Sequence, residues 1–225
     1  MKRYAVYFAP RPGAFADRAA AWLGRDALTG KALEQPELPG VPAPADITVE
    51  PRRYGFHGTI RAPFRLADGV DAEGVAEGVA ALASRLAPVH CDGLRLENLH
   101  GFLALTPTGC EAALLQLAAT VIEGTDAFRA PLTAAEIARR RPESLSSRQR
   151  ALLDRWGYPF VMEEFRFHLT LTDRLAAAQA EVVAPALRAH FAPVLPRPFV
   201  IEDLCLFGED DAGLFHLLHR HALNG

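Results

Sequence analysis

Phe56-His57-Gly58-Thr59-Ile60 and Phe167-His168-Leu169-Thr170-Leu171 decide how this chain is read. Each runs aromatic, His, any residue, Thr, aliphatic, and they hold the only two His-x-Thr triplets among eight histidines. On a strand, successive side chains alternate faces. A His and a Thr two positions apart therefore share one face, roughly 6.5–7 Å apart. Gly58 and Leu169 then point the other way, into the body of the protein. A single triplet is most simply a half-buried strand histidine beside a β-branched neighbour. Two with matching flanks indicate a repeated unit that acts as a pair.

The surroundings repeat as well. After the first motif, residues 71–86 are Ala-rich with apolar positions at helical spacing. Residues 93–99 then alternate as a half-buried strand does, and 101–106 supply its hairpin partner around Asn98 to Gly101. After the second motif come a helix over 176–191, with Pro185 as a kink, and a strand over 199–207. A turn over 208–213 and a last strand over 214–219 complete the set. His57 to Phe102 is 45 residues and His168 to Phe215 is 47, which argues for an internal duplication. The predicted fold is α+β and two-lobed. Each lobe is an antiparallel sheet with helices on its outer face, and the motif strands face a central cleft. Residues 1–225 form one domain of two pseudo-symmetric lobes, about 1–125 and about 126–225, with a helical insert at 131–160.

The remaining segments fit around this frame. Tyr4 to Ala9 reads as a buried strand and 14–23 as a short helix stopped by Gly24. Residues 25–51 contain five prolines and two glycines and read as a long surface loop of the kind that covers a site, with 47–50 as a short edge strand. Residues 111–123 form a crossover helix. Thr133 with Glu136 makes a capping box, and a further helix over 147–156 ends at Gly157. Six arginines (139, 140, 141, 148, 150 and 155) make this stretch basic, as a solvated helix face or as a phosphate-attracting rim.

Composition narrows the class. Half of the 225 residues are hydrophobic and the formal charge is −3, which argues against bulk electrostatic capture of nucleic acid. Three cysteines without close spacing, Cys91, Cys110 and Cys205, suggest reduced thiols, and hence a cytoplasmic protein. The apolar run at Tyr4 to Ala9 is too short for a signal-peptide core, and no run approaches a membrane span.

Two His and two Thr converging on one volume suit the cleavage of a phosphate ester. One imidazole takes the proton of the attacking oxygen and the other protonates the leaving oxygen, since His titrates near neutral pH. The threonine hydroxyls donate to the non-bridging oxygens, where charge builds. By alternation Arg61 shares the face of His57, and Arg166 and Thr172 share that of His168. All three are candidate phosphate contacts. Tyr54 is a candidate for stacking on a base or sugar, or a buried structural residue.

With these motifs the chain resembles the two-histidine (2H) phosphoesterases. The runs Arg3-Tyr4-Ala5-Val6-Tyr7-Phe8, Arg52-Arg53-Tyr54-Gly55-Phe56-His57, Trp156-Gly157-Tyr158-Pro159-Phe160 and Phe165-Arg166-Phe167-His168 resemble a bacterial branch associated with phosphonate-utilisation operons. That branch usually carries Ala at position 58 and Lys at position 61. The resemblance implies a bilobal cleft and metal-independent hydrolysis of a cyclic phosphodiester without a cofactor. His57, Thr59, His168 and Thr170 would hold the catalytic roles. It does not fix the substrate: the expected partner is a small phosphorylated metabolite or nucleotide, with a 2′,3′-cyclic nucleotide, a ribosyl cyclic phosphate (on operon association, not on any residue here) and an RNA end as candidates. No membrane and no obligate protein partner is implied.

Other chemistries have less support. His216, His219 and His221 lie near Glu209, Asp210 and Asp211, but the motifs carry Thr where a metal-binding carboxylate would stand. No Gly-x-Ser-x-Gly turn is present. The alternative of another class is a non-catalytic module that holds phosphorylated ligands or RNA ends in the same cleft.

Overall fold

Both motifs end on the same sheet, side by side at its centre. The computed structural model describes all 225 residues. β1 (Tyr4–Phe8) leads through α1 (Ala14–Leu23), α2 (Pro44–Ile47) and α3 (Val49–Tyr54) to the first motif strand, β2 (Gly58–Phe64). Then come α4 (Ala72–Ala83), β3 (Val89–Cys91) and the hairpin of β4 (Gly93–Leu99) and β5 (Phe102–Thr108). α5 (Glu111–Thr125), α6 (Ala134–Arg139) and α7 (Ser147–Trp156) precede the second motif strand, β6 (Leu169–Thr170). The chain closes with α8 (Ala177–Phe191), β7 (Phe199–Ile201), β8 (Asp203–Glu209) and β9 (Phe215–Ala222).

Seven strands form one sheet in the order β4-β5-β6-β2-β1-β8-β9, and β3 pairs with β7 in a second, two-stranded sheet. Every pairing is antiparallel. The duplication is visible in this order: β3 and β7 each precede a hairpin, and β2 and β6 are the two motif strands. The hairpins are exchanged, however. β4 and β5 of the first half extend the sheet beyond β6, while β8 and β9 of the second half extend it beyond β1.

The two faces of the large sheet differ. Tyr4, Val6, Phe8, Ile60, Phe64, Leu169 and Leu171 join a cluster of 36 buried residues that includes Val75 and Val79 of α4, Leu117 and Val121 of α5, and Val183 and Leu187 of α8. Burial of this apolar face against the helices is the main stabilising term. On the other face lie Ala5, Tyr7, Ala9, Cys205, Phe207 and Phe215, with Tyr54 packed against them.

Local chemistry sets the helix ends, at Gly24, Thr133–Glu136 and Gly157 as the sequence predicts, whereas the helix expected over 71–86 ends at Ala83. The Asp71 carboxylate accepts from Gly74 N–H, and Thr133 with Glu136 closes a capping box. Gly24 and Gly157 adopt left-handed conformations (φ 77° and 75°) that stop α1 and α7. α8 runs through Pro185. In the β4–β5 turn Asn98 Oδ1 accepts from Gly101 N–H at 2.8 Å.

Two expectations are corrected. Residues 47–50 are not an edge strand: Ile47 ends α2, Thr48 joins the two helices, and Val49 and Glu50 open α3. Pro44 occupies the first turn of α2, and the Asp173 carboxylate accepts from the N–H groups of Val49 and Glu50 at 2.8 and 2.9 Å, capping α3. The cysteines are not all reduced either, since Cys91 and Cys110 are disulfide-bonded, with Cα atoms 4.9 Å apart. The hairpin explains this. Gly93 pairs with Thr108, so the same register brings 91 opposite 110 across a gap of 19 residues. Only Cys205 is free, and it is buried. The thiol argument for a reducing compartment therefore falls. No helix is long and apolar enough to cross a membrane.

The long 25–51 segment is pinned rather than loose. Gln35 donates to Trp22 O and Thr48 Oγ1, and Arg52 donates to Leu23 O and Gln35 Oε1. Only its end, at Glu50 and Pro51, reaches the cleft described next.

Candidate active site

The pairing Gly58↔Leu169 joins the two motif strands. Continued one residue each way, that register sets His57 opposite Thr170 and Thr59 opposite His168. Cross-strand neighbours stand about 4.5–5.5 Å apart, and diagonal ones about 7–8 Å. The four side chains thus occupy the corners of one small square, with the histidines on a diagonal. Gly58 faces the core, where a Cβ would stand 2.3 Å from the Phe167 ring.

Both imidazoles are held in the same way. His57 Nδ1 lies 2.9 Å from Gly55 O and His168 Nδ1 lies 2.8 Å from Arg166 O, in each case the carbonyl two residues before. A carbonyl only accepts, so both Nδ1 atoms carry the proton and both Nε2 atoms keep a lone pair in the neutral ring. His57 Nε2 is 3.2 Å from Thr59 Oγ1, which donates to it. Aromatic rings brace each imidazole: Tyr7 at 4.1 Å and Tyr54 at 5.6 Å from His57, and Phe102 at 5.5 Å from His168.

Burial sets the electrostatics. Desolvation lowers the His57 pKa from 6.5 to about 4, against the hydrogen bond to Gly55 O and with a small push from His168. His168 is lowered as well, again by burial. Both rings are therefore neutral at pH 7 in the unliganded cleft. An anion between them favours protonation, which is what an acid–base pair needs.

The cleft beside them holds about 720 Å³ and is lined by His57, Thr59, Thr170, Tyr7, Tyr54 and Phe102, among others; His168 is not part of this lining and meets it through the Phe102 ring. Arg3, Arg140 and Arg174 bring positive charge to its wall. No group of three or more His, Cys, Asp or Glu is arranged so that it could hold a metal ion. His216 instead pairs with Asp210 at 2.8 Å, and the His219 and His221 rings stack at 5.9 Å on β9.

The flanking candidates divide. Tyr54 lines the cleft and stacks on Phe215. Thr172 also lies on the wall but is almost wholly buried, and its hydroxyl oxygen accepts from Leu103 N–H at 2.9 Å. Arg61 does not share the face of His57. Irregularities in the β1–β2 register pair Tyr7 with Thr59 but Val6 with Arg61, so one extra β2 residue turns the side chain over. Arg61 is buried on the helix side, where it donates to Ile122 O at 2.7 Å and to Asp126 at 3.3 Å. Arg166 is exposed and turns back onto the carbonyls of Glu163 and Phe165. Its contribution to the site is its own carbonyl, beneath His168.

A family model described as "Protein of unknown function (DUF1045)" matches residues 59–216. The chain belongs to this family. Two curated relatives of this DUF1045 chain are named ribose 1,5-bisphosphate phosphokinase PhnN. The one from Janthinobacterium sp. (strain Marseille) is 38% identical over 220 residues, covering 95% of this chain and 49% of the relative. The one from Laribacter hongkongensis (strain HLHK9) is 38% identical over 221 residues, covering 97% and 51%. The chain thus spans about half the length of the curated relatives it matches. Among solved structures, a phosphoesterase aligns over 100% of both chains at 16% identity and a TM-score of 0.44. E. coli LigT complexed with 3′-AMP aligns over 100% of this chain and 99% of its own at 15% identity and a TM-score of 0.46.

Tyr7, Phe102, Arg140, Tyr158 and Arg174 line the cleft of the DUF1045 chain without having been singled out individually for it from the sequence. Tyr7 lies in a run apolar on both faces, which carries no face signal. Arg140 appears in the sequence only as one of six clustered arginines.

Proposed function

We propose that this chain is a phosphoesterase of the two-histidine type that hydrolyses a small cyclic phosphodiester without a metal. One observation carries the reading: two imidazoles, each anchored through Nδ1 on a carbonyl two residues back, share one sheet face with two threonines in adjacent motif strands. Water attacks phosphorus while one imidazole Nε2 takes its proton. The ring P–O bond breaks, and the other imidazole, protonated once the anionic ester is bound, gives its proton to the leaving oxygen. The product is the monoester, and the two histidines have exchanged protonation states. Thr59 and Thr170 donate to the non-bridging oxygens.

The substrate we favour is a ribosyl cyclic phosphate. The curated relatives' printed name speaks of a ribose bisphosphate, and this chain matches only about half of each. The chain has no Gly-x4-Gly-Lys-Ser/Thr loop to cradle a nucleotide triphosphate. We therefore assign the phosphokinase activity to the other half of those relatives and phosphoester hydrolysis to the half that matches here.

The test is hydrolysis of 2′,3′-cyclic nucleotides and of ribose cyclic phosphates from about pH 5 to 9. The expected profile is bell-shaped, and His57→Ala and His168→Ala each lower kcat by about 10²–10⁴-fold. Tight binding without product across that panel overturns hydrolysis and supports a binding module instead.

A further inference from the structure

Three arginines line the cleft, and two are occupied. Arg3 is paired with Glu209, with Nη2 2.7 Å from Oε1, and Arg174 donates to His100 O at 2.7 Å. Arg140 makes no side-chain hydrogen bond or ion pair. It is half-buried just beyond α6, with its guanidinium carbon 4.8 Å from the centre of the Tyr158 ring. Stacking on an aromatic face fixes the guanidinium while leaving its in-plane N–H groups free.

Tyr158 is one of three phenols on this wall, with Tyr7 and Tyr54. None of their hydroxyls is bonded within the chain, and none is sealed from solvent, so all three open onto the cleft. All three line the same wall of the cleft, Tyr7 and Tyr54 on the side of His57 and Tyr158 beneath Arg140. Burial raises the pKa of both Tyr7 and Tyr158, with a smaller push from the neighbouring phenols, so these hydroxyls stay protonated at neutral pH and are available to donate. An unpaired guanidinium with several phenolic donors is a cradle for an anion rich in acceptor oxygens. It adjoins the His57 imidazole, since the Tyr7 and Tyr54 rings both stand against it.

We infer that Arg140 and the phenols of Tyr7, Tyr54 and Tyr158 form a second anion subsite, which takes a terminal phosphate monoester on the same molecule whose diester lies between the motifs. This rests on the proposed function and names its substrate class: a ribosyl cyclic phosphodiester that carries a further phosphate. A substrate without that group leaves the Arg140 charge uncompensated in the complex. The subsite therefore selects for bis-phosphorylated sugars over simple cyclic nucleotides.

Equilibrium binding separates this inference from the hydrolysis itself. Calorimetry on the wild-type chain compares adenosine 2′-monophosphate with adenosine 2′,5′-bisphosphate, which differ only in the terminal phosphate and need no turnover. The bisphosphate is expected to bind at least about tenfold tighter, the size of one charge-assisted contact. In Arg140→Gln that ratio falls to near one, and Arg140→Lys recovers part of it, which a folding defect would not do. Equal affinities in wild type, an unaltered ratio in Arg140→Gln, or no binding of either probe at millimolar concentration overturns the subsite. Loss of hydrolysis with the ratio intact counts against the phosphoesterase reading alone.

Discussion

Arg61 gives the sharpest separation between what the motif suggests and what the fold does. As a phosphate contact, its loss would weaken substrate binding. As the buried partner of Ile122 O and Asp126, its loss would weaken the fold. The side chain is 2% exposed, and burial holds its pKa down to about 10 from 12.5 even with Asp126 nearby. That gap is equivalent to about 3 kcal/mol against keeping the charge where it is. Removing the cation does not strand Asp126, which keeps Arg129 at 3.1 Å and Arg155 at 3.2 Å. The group left orphaned is Ile122 O, near the C-terminal end of α5, at a cost of about 1–3 kcal/mol. Arg61→Met fills most of the space and relieves the desolvation, so its net cost is about 1–2 kcal/mol. Arg61→Ala adds a cavity and costs about 3–4 kcal/mol. Urea unfolding reads these losses as midpoint shifts, and phosphate titration or KM reads the site. The reasoning is refuted if Arg61→Ala keeps the wild-type urea midpoint while KM rises tenfold or more.

Four further outcomes are expected. The unfolded chain binds a proton at His57 from pH 6.5 downward, whereas the folded chain holds that pKa at about 4. Stability is therefore full above about pH 6.5 and is lost as pH falls toward 4, by at most about 3 kcal/mol for a half-buried ring; urea midpoints at both ends should fall less in His57→Gln. Asp173→Ala removes the cap of α3 and should cost about 0.5–2 kcal/mol. Because α3 leads directly into the Gly55 carbonyl under His57, kcat should fall as well, and an unchanged kcat argues against that coupling. Gly58→Ala drives a methyl into the Phe167 ring and should destabilise by about 1–3 kcal/mol, read by thermal melting. Reduction of Cys91–Cys110 opens a closure of 19 residues and should cost about 3 kcal/mol, with a matching drop in urea midpoint under dithiothreitol.

The duplication was legible because a near-equal spacing from motif to hairpin survives in the chain, and several helix ends because the stops at Gly24 and Gly157 and the Thr133–Glu136 capping box act locally. What could not be read was set by long-range register. Alternation places Arg61 beside Thr59, but one irregular pair against β1 reverses it. The disulfide escaped because 19 residues look like distance until the β4–β5 hairpin folds them into opposition. Residues 47–50 have strand-forming character, but the caps that make them helical come from Asp173, more than a hundred positions away. The partnership of Tyr7 with His57 likewise needs the β1–β2 pairing and has no short-range signature.

The exchanged hairpins bear on how the molecule is made. Until β8 has left the ribosome, β1 lacks a neighbour on one side, and until β6 has emerged the finished β4–β5 hairpin has no central strand to join. Neither half can close its own sheet, so synthesis of the first half, to about residue 125, leaves open edges that invite wrong partners. The His–Thr square needs a strand from each half, β2 and β6, so two separately expressed halves should each lack it until mixed.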